Sequence, residues 1–304
     1  MRFLLPLWLF WLSPLMAEGL LLVEKEAKIV QLLPDVGGDK RFEASGLTVV
    51  GKQAYVVFDN RPALAQLSVS LSKVASNHLL NGGASGVGYE ALSFDPAEKR
   101  FYLLQESLKR DAGFFAKLSS GTLFNDTELQ SQWLNFELPS GNKGLEGLAF
   151  FSRGGAEYLL ALCEGNRCTS GKKGRKAGKG RLLLFAKRAG RWSFERKIKL
   201  PKSLRFVDYS GLAVQGNRIA ITSQASSRLW VGRLKKRKWS FKGDGEVYRL
   251  PSSAAGKVVY CNIEGVAWLS KSRLLLVSDR RKKSKQNRRC KAKDQSIHLV
   301  RLPN

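Results

Sequence analysis

The chain has 304 residues and carries 52 lysines and arginines against 25 aspartates and glutamates, which gives a formal charge of +27 at pH 7. This field favours anionic partners, namely nucleic acid, lipopolysaccharide, anionic glycans or phosphorylated small molecules, without choosing among them. After the first residues, no stretch is apolar for long enough to cross a bilayer, so no membrane-spanning helix is expected in the rest of the chain.

Residues 1–17 have the order of a secretory signal peptide. Arg2 provides a positive start, a short apolar stretch follows, and the small residue Ala17 marks the expected cleavage site. A retained transmembrane anchor is the alternative, but the apolar run is short and the chain becomes charged from Glu18 onward. We therefore expect a periplasmic or secreted protein that does not span the membrane after cleavage.

The chain contains five copies of one short pattern, in which a small or acidic residue is followed by Gly or Ala and then by an aliphatic residue. The copies span residues 44–48, 89–93, 145–149, 209–213 and 263–267. Each is followed by a second and a third short run of aliphatic and aromatic residues bounded by turn residues, which is typical of β-strands. No long stretch has the period of a helix.

A fourth strand is expected to complete each repeat. We place it at residues 76–81, 133–139, 194–201 and 246–251, and the last three of these end at a proline, which an edge strand tolerates. The last repeat stops after its third strand, at residues 296–302, whereas residues 28–34 at the other end have the pattern of a fourth strand. The N-terminal strand is therefore predicted to complete the last blade and close the ring.

These features predict an all-β fold, a five-bladed β-propeller, as a single domain over residues 18–304. Six blades is the alternative count. A β-sandwich would not explain why the strand missing at one end of the chain is present at the other.

Carboxylates recur at the expected mouth of the channel, where the start of each first strand and the end of each second strand emerge. The position before Gly or Ala is acidic or Ser, and where it is Ser an acid stands two residues earlier. Each blade thus supplies one member of a ring: Glu43, Glu90, Glu146, Asp208 and Glu264. The ends of the second strands supply a second ring: Asp59, Glu106, Glu164 and Asp279, with Gln224 in the remaining blade.

Such a concentration of carboxylates has two interpretations. Packed carboxylates repel one another and need shared protons, recruited cations or inserted lysines and arginines. Oxygen-rich clusters suit Ca²⁺ or another hard divalent cation, so a metal or ligand site is one interpretation. In the other, these side chains accept hydrogen bonds from backbone N–H groups of the next blade, and the small residue is present because the channel narrows.

Two basic loops are expected on the same face as the acids. One covers residues 171–181 in the middle blade, and the other covers residues 280–293 in the last blade. The candidate anion-binding residues are Lys172, Lys173, Arg175, Lys176, Arg280, Arg281, Lys282 and Lys283. Solvated loop charge is the plainer alternative.

The four cysteines are predicted to form two disulfides, as expected for an exported chain. We expect the pairs Cys163–Cys168 and Cys261–Cys290, each tying a basic loop to the channel mouth. A zinc site is disfavoured because the spacing is not that of paired C-x-x-C motifs. The two histidines, His78 and His298, fall in an outer and a third strand, so a histidine triad at the mouth is not expected.

The segments 145–150, 263–268 and 274–279 resemble exported propellers of the phytase-like (esterase-like activity of phytase) group and the SdiA-regulated group. The chain is more loosely similar to gluconolactonase, paraoxonase and strictosidine-synthase propellers, in which a Glu-Gly pair at the start of an inner strand supplies a calcium ligand. This resemblance implies that Glu146 and Glu264 are the first calcium ligands to test. The chain differs from these propellers in blade number, in its basic loops and in lacking a catalytic histidine of the paraoxonase kind.

The sequence thus predicts an exported propeller whose acidic channel mouth binds Ca²⁺ and, with the basic loops, an anionic small molecule, a glycan or an envelope component. One alternative is a metal-dependent hydrolase of an ester, lactone or phosphoester, with metal-activated water and a carboxylate base. A second alternative is a protein-interaction scaffold in the cell envelope. Export argues against nucleic acid as the partner, and we expect a monomer.

Overall fold

The structure is a computed structural model, and it describes residues 18–34, 41–81, 88–122, 129–141, 143–280 and 287–303. The predicted signal peptide, residues 1–17, lies outside the described residues. Five sheets form the five blades of a β-propeller, which confirms the predicted all-β fold and the count of five over six.

Each blade is an antiparallel sheet of consecutive strands. Blade 1 consists of β3 (Ala44–Val50), β4 (Gln53–Phe58), β5 (Arg61–Ser68) and β6 (His78–Asn81). Blade 2 consists of β7 (Ala91–Asp95), β8 (Arg100–Arg110), β9 (Gly113–Gly121) and β10 (Gln130–Trp133). Blade 3 consists of β11 (Leu145–Arg153), β12 (Ala156–Cys163), β13 (Arg181–Arg188) and β14 (Arg191–Lys199).

The last two blades include the N-terminal segment. Blade 4 consists of β15 (Gly211–Gln215), β16 (Arg218–Ser223), β17 (Arg228–Arg233), β18 (Glu246–Arg249) and, parallel to β18, the two-residue β1 (Gly19–Leu20). Blade 5 consists of β19 (Ile263–Trp268), β20 (Arg273–Ser278), β21 (Ser296–Arg301) and β2 (Leu22–Lys28). Helix is confined to α1 (Ile29–Leu32), α2 (Gly171–Gly174) and two short 3-10 turns, Asn166–Cys168 and Arg288–Cys290, in the part of the chain that the structure describes.

Ring closure occurs as predicted, but with a different segment. Strand β2 pairs antiparallel with β21, so the N-terminal strand completes the last blade. The prediction that residues 28–34 form this strand is wrong, because Ile29–Leu32 is the short helix α1. Ile29 and Leu32, three residues apart on one face of this turn, are both buried, and so is Leu33 directly after it.

The outer strand of blade 2 also differs from the prediction. It was expected at residues 133–139, whereas β10 ends at Trp133. Beyond it, Leu138 forms an isolated bridge with Phe114, so the segment stays close to the sheet without continuing the ladder. The sequence analysis did not predict β1, which is too short to show an alternating pattern.

The hydrophobic core is divided among the gaps between neighbouring blades. Five clusters of buried side chains occur, and each joins residues of two adjacent blades. One example joins Val57 and Leu64 of blade 1 to Leu92 and Leu103 of blade 2. Burial between blades explains why the first three strands of each blade are rich in aliphatic and aromatic residues.

Around the channel, the inner strands approach one another closely. A Cβ atom at Gly147 would lie 2.7 Å from Leu212 Cβ of the next blade, and one at Gly211 would lie 2.5 Å from Glu264 O. A larger side chain would therefore collide with the next blade. The small residue in the repeated pattern is needed because the channel narrows.

Candidate functional site

A cavity of about 250 Å³ lies at one mouth of the channel, and we call it the acidic funnel. It is lined by the carboxylates of both predicted rings: Glu43, Glu90, Glu146, Asp208, Glu264, Asp59, Glu106, Glu164 and Asp279. Lys143, Gln224, Ser45, Ser210 and Tyr209 complete its wall. The two sequence columns therefore do meet at one face of the propeller.

Irregular pairing in the inner strands turns several acidic side chains into the funnel. In blades 1, 3 and 5 the pairing of the first two strands shifts by one residue at Ser45, Glu146 and Glu264. A bulge of this kind re-aims a side chain that would otherwise follow the pleat. In blade 2 the strand begins at Ala91, directly after Glu90, and Glu90 N–H donates to Leu104 O at 2.8 Å.

The two serines of the repeated pattern join neighbouring blades. The Ser45 hydroxyl donates to Tyr89 O at the start of blade 2. The Ser210 hydroxyl donates to Ile263 O of blade 5 at 2.6 Å. These serines therefore have the structural role of joining neighbouring blades. They donate to carbonyl groups of the next blade, whereas the sequence predicted that they accept from its N–H groups.

Two funnel carboxylates are held by nearby donors. Asp208 accepts hydrogen bonds from the Ser223 hydroxyl at 2.5 Å and from Ala225 N–H at 3.0 Å. Glu106 accepts one from Gly144 N–H at 3.0 Å. These bonds hold the carboxylates in place while leaving other lone pairs directed to the cavity.

Two cations that pair with funnel carboxylates were not singled out from the sequence. The Lys143 ammonium forms an ion pair with Glu164, and the Arg41 guanidinium forms one with Glu43. Both cations lie in the segments that lead into an inner strand, at positions where the repeated pattern has no fixed residue. Inserted lysines and arginines are expected among crowded carboxylates, but nothing in the repeated pattern identifies which residues they are.

Three glutamates deep in the funnel have strongly raised pKa values. Glu90, Glu146 and Glu264 are surrounded by protein and meet water only through the cavity, and burial is the largest cause of each raised pKa. Repulsion from neighbouring carboxylates adds to the effect, for Glu264 from Asp279 and Asp208. Gln224 donates a side-chain hydrogen bond to Glu264.

Three other funnel carboxylates also have raised pKa values. Burial, followed by repulsion from Glu164, raises the pKa of Glu106 to about 7, and the Gly144 N–H partly opposes this. Burial also raises the pKa of Glu164, against the lowering effect of Lys143. Burial raises the pKa of Asp279 to about 8, and its Oδ1 atom is buried without a hydrogen-bond donor among the described residues.

One trio of these carboxylates has the spacing of a metal site. Glu106, Glu146 and Glu164 each offer an oxygen, and the three oxygens lie within 4.8 Å of one another. Glu106 comes from the second strand of blade 2, Glu146 from the first strand of blade 3, and Glu164 follows the second strand of blade 3. Carboxylate oxygens are the ligands that Ca²⁺ prefers.

A second trio of acids has similar spacing but already holds a cation. Asp95, Glu98 and Glu157 lie at the other end of blades 2 and 3. The Lys187 ammonium lies 2.5 Å from Glu98 and 2.8 Å from Glu157. This lysine supplies the charge that a metal would otherwise provide, so the funnel trio is the better candidate.

The basic loops lie outside the cavity. Lys172, Lys173, Arg175 and Lys176 are exposed on the loop after β12, and they do not line the acidic funnel. Arg280 is partly exposed beside Asp279. The remaining predicted anion-binding residues, Arg281, Lys282 and Lys283, lie outside the described residues.

Both predicted disulfides are confirmed. Cys163 pairs with Cys168 at the start of the first basic loop, and Cys261 pairs with Cys290 in the last blade.

A buried asparagine that the sequence analysis missed fastens the first basic loop further. The Asn166 side chain donates to Gly174 O at 3.2 Å and accepts from Lys179 N–H at 2.8 Å and from the Tyr209 hydroxyl at 3.1 Å. Since Tyr209 lines the funnel, this bond links the loop to the funnel wall.

The histidines lie where the sequence predicted, in β6 and β21, and neither lines the funnel. His298 is buried between Ser278, at 3.1 Å, and Glu26, at 3.2 Å. Both Ser278 and His298 are wholly buried, so this row of side chains joins β2 to its neighbours in blade 5 and is not open to a substrate. Within the described residues, the structure contains no helix that is long and apolar enough to cross a membrane.

No protein-family model and no curated protein sequence matches this chain. Solved structures similar to it are a GH43_1 enzyme from Xanthomonas citri (TM-score 0.55, 10% identity, 91% of each chain covered) and a glutaminyl cyclase from Myxococcus xanthus (TM-score 0.52, 14% identity, 94% of this chain and 97% of that one). A third is a PQQ-bound aldose sugar dehydrogenase from Streptomyces coelicolor (TM-score 0.52, 12% identity, 94% of this chain and 99% of that one). At these identities the similarity shows the propeller fold alone.

Proposed function

We propose that this protein is an exported propeller that binds a divalent cation, Ca²⁺ in the first instance, in the acidic funnel. The observation that carries the proposal is the convergence of Glu106, Glu146 and Glu164, whose oxygens lie within 4.8 Å of one another. Two adjacent blades supply these ligands, so a bound cation would also tie the blades together.

The electrostatics of the funnel support a cation. Crowded, poorly solvated carboxylates raise one another's pKa values, and a divalent cation relieves that repulsion directly. Lys143 neutralises only part of the charge. The resemblance to calcium-binding propellers suggests two glutamates as ligands, and Glu146 belongs to the trio. Glu264 accepts a hydrogen bond from Gln224 and would stabilise the site without binding the cation.

The ligand proposed for the site is an anionic small molecule or a glycan of the cell envelope. A bound cation offers open positions to carboxylate, phosphate or hydroxyl oxygens, and the exposed basic residues of the loop after β12 attract anions toward that face. One similar structure is an aldose sugar dehydrogenase by name, and another determination of the GH43_1 enzyme is described as complexed with xylose. The two disulfides are consistent with the oxidising compartment that export implies.

A second candidate function is hydrolysis of an ester, lactone or phosphoester at the same funnel. The observation in its favour is the pKa of Asp279, a funnel carboxylate outside the proposed metal trio, which at about 8 lies near enough to neutral pH for acid–base catalysis. A metal would supply an activated water there, and the resemblance to phytase-like propellers points to the same class of substrate.

Calorimetry with CaCl₂ on the purified protein tests the first proposal. We expect binding with proton release, measured as a dependence of the heat on buffer ionisation, since carboxylates with raised pKa values must lose protons to bind metal. The double variant Glu106→Gln/Glu146→Gln should weaken binding at least about tenfold. Glu98→Gln, in the trio that Lys187 neutralises, is the matched control and should bind like the wild type.

Absence of Ca²⁺ binding in the wild type, or equal binding in the double variant, would overturn the metal proposal. Metal-dependent turnover of an ester, lactone or phosphoester would establish the second candidate. Binding without turnover on such a panel would leave the ligand-binding function.

A further inference from the structure

The opposite mouth of the channel contains a second cavity, which is lined by aliphatic and aromatic side chains together with Thr48, Ser93 and Ser152. This cavity, which we call the apolar well, has a volume of about 410 Å³ and shares no lining residue with the funnel. The narrowest part of the channel separates the two. There each blade contributes one buried aliphatic residue, and these also line the inner end of the well: Leu47, Leu92, Leu148, Leu212 and Val266.

Aromatic side chains line the outer part of the well. Phe94, Phe150, Phe151 and Trp268 all face it, together with Val49. The rings are partly or wholly covered, so they form a concave surface and do not project from the molecule. A concave apolar surface of this size receives an apolar group of moderate length.

A ring of cations surrounds the open end of the well. Each inner hairpin carries a basic residue within three positions of a residue that lines the well, and together they form what we call the basic ring: Lys52, Lys99, Arg153, Arg218 and Lys271. Lys52, Lys99 and Lys271 are exposed at the turns.

The two arginines of the ring lie flat on aromatic rings. The Arg218 guanidinium lies 4.2 Å from the Trp268 ring centroid, and the Arg153 guanidinium lies 4.1 Å from that of Trp239. Stacking of this kind holds the cation at the rim. One N–H of Arg218 already donates to Lys271 O, which leaves its other donors for a ligand.

Nearby acidic side chains do not neutralise the positive charge of the basic ring. Glu98, beside Lys99, is paired with Lys187 at 2.5 Å and with Arg100 at 3.1 Å. Asp95 is wholly buried and accepts the Ala97 N–H at 2.8 Å. The rim of the well therefore keeps a net positive charge.

From these features we propose that the apolar well and the basic ring form a binding site for an amphipathic anion, a single alkyl or acyl chain that carries a carboxylate or phosphate head group. The chain occupies the well, and the head group reaches the basic ring. A bilayer surface is a poorer match, because peripheral membrane binding needs apolar side chains that protrude. The large apolar residues that are exposed in the described part of the chain do not line the well: Leu20, Leu22, Val74, Leu80, Val207 and Val258.

Calorimetry with three probes below their micelle concentrations tests the proposal. Sodium dodecanoate should bind, and acetate, which lacks the chain, should not bind measurably. Dodecyltrimethylammonium has the same chain with a cationic head group and should bind at least about tenfold more weakly than dodecanoate. Equal affinity for the two dodecyl probes, or no binding of dodecanoate, would overturn the proposal. Binding of anionic vesicles without binding of monomeric dodecanoate would also overturn it and assign this face to a membrane surface.

Two variants locate the site. Lys52→Glu/Lys271→Glu reverses two exposed charges of the ring and should weaken dodecanoate binding roughly tenfold, with a smaller loss at high salt. Lys172→Glu/Lys173→Glu makes the same charge change on the exposed loop after β12, at the opposite face, and is the matched control. Equal weakening by both pairs would show a general charge effect and overturn the assignment.

The assignment to the well is separable from the proposed function of the funnel. Thr48→Trp places a large ring among the lining residues and should abolish dodecanoate binding, with folding checked by circular dichroism. Glu146→Gln lies in the funnel and should leave dodecanoate binding unchanged. If Glu146→Gln abolished it instead, the ligand would occupy the funnel and the proposal would be wrong.

Discussion

Neutralising one funnel carboxylate should stabilise the metal-free protein, although most substitutions destabilise. Glu106→Gln keeps the shape of the side chain and an oxygen that can accept the Gly144 N–H. It removes a charge that burial and Glu164 make unfavourable. We therefore expect the variant to be more stable than the wild type at pH 8 and nearly equal to it at pH 5.

The magnitude follows from the pKa of Glu106, which rises from its ordinary value of 4.5 to about 7 on folding. When the pKa of a carboxyl group is higher in the folded than in the unfolded protein, the folded state is favoured most while the group is protonated. The free energy of unfolding therefore falls as the pH rises from 4.5, the unfolded pKa, through about 7, the folded pKa. The loss amounts to about 3 kcal/mol at pH 8 and to less than about 1 kcal/mol at pH 5. Glutamine does not titrate, so the difference between variant and wild type follows this curve.

Urea unfolding, followed by tryptophan fluorescence in excess EDTA at pH 5 and pH 8, measures both differences. Glu137→Gln removes an exposed carboxylate and should change stability little at either pH. A Glu106→Gln variant that is less stable at pH 8 than the wild type would refute the reasoning. So would a stability difference that does not depend on pH.

Three further predictions concern the frame around the funnel. Replacing Cys261 and Cys290 by serine should lower the free energy of unfolding by about 3–4 kcal/mol, because the bridge closes a loop with a sequence separation of 29. Denaturation of the oxidised wild type and of the variant measures this difference, and equal stability would contradict the bridge. Glu26→Gln should lower the free energy of unfolding by about 1 kcal/mol at pH 7, after allowance for solvent screening, and should have no effect near pH 2. The reason is that the pKa of Glu26 is lowered from 4.5 to about 2, so its stabilising effect is lost as the pH falls through that range. Unfolding at several pH values checks the trend, and an undiminished effect near pH 2 would contradict it. Gly147→Ala should destabilise the protein by about 1–3 kcal/mol in the same assay, since the new Cβ would lie 2.7 Å from Leu212 Cβ. An unchanged free energy of unfolding would contradict the close approach of blades 3 and 4.

The repeat made the architecture of the funnel predictable from the sequence. Each blade places the same short pattern at the start of its inner strand, so a carboxylate in one blade predicts the position of those in the others. The direction of the strands then predicts that Glu106 and Glu164, at the ends of second strands, lie at the same mouth as Glu146. All three line one cavity.

Features outside the repeat could not be predicted in the same way. Lys143 and Arg41 lie in connecting segments of variable length, where no comparison between blades is possible. The error over residues 28–34 has a different cause. An apolar run of this length fits either a strand or one turn of buried helix, and only the contacts of Ile29 and Leu32 with the core distinguish them.

The acidic funnel's central property, a cation held by Glu106, Glu146 and Glu164, can be tested by crystallography with a heavier analogue of Ca²⁺ such as Tb³⁺. We predict an anomalous peak among these three carboxylates, at Ca²⁺-like distances of about 2.3–2.6 Å from their oxygens. A peak at Asp95, Glu98 and Glu157 alone, or no peak in the funnel of a well-soaked crystal, would contradict the proposed function.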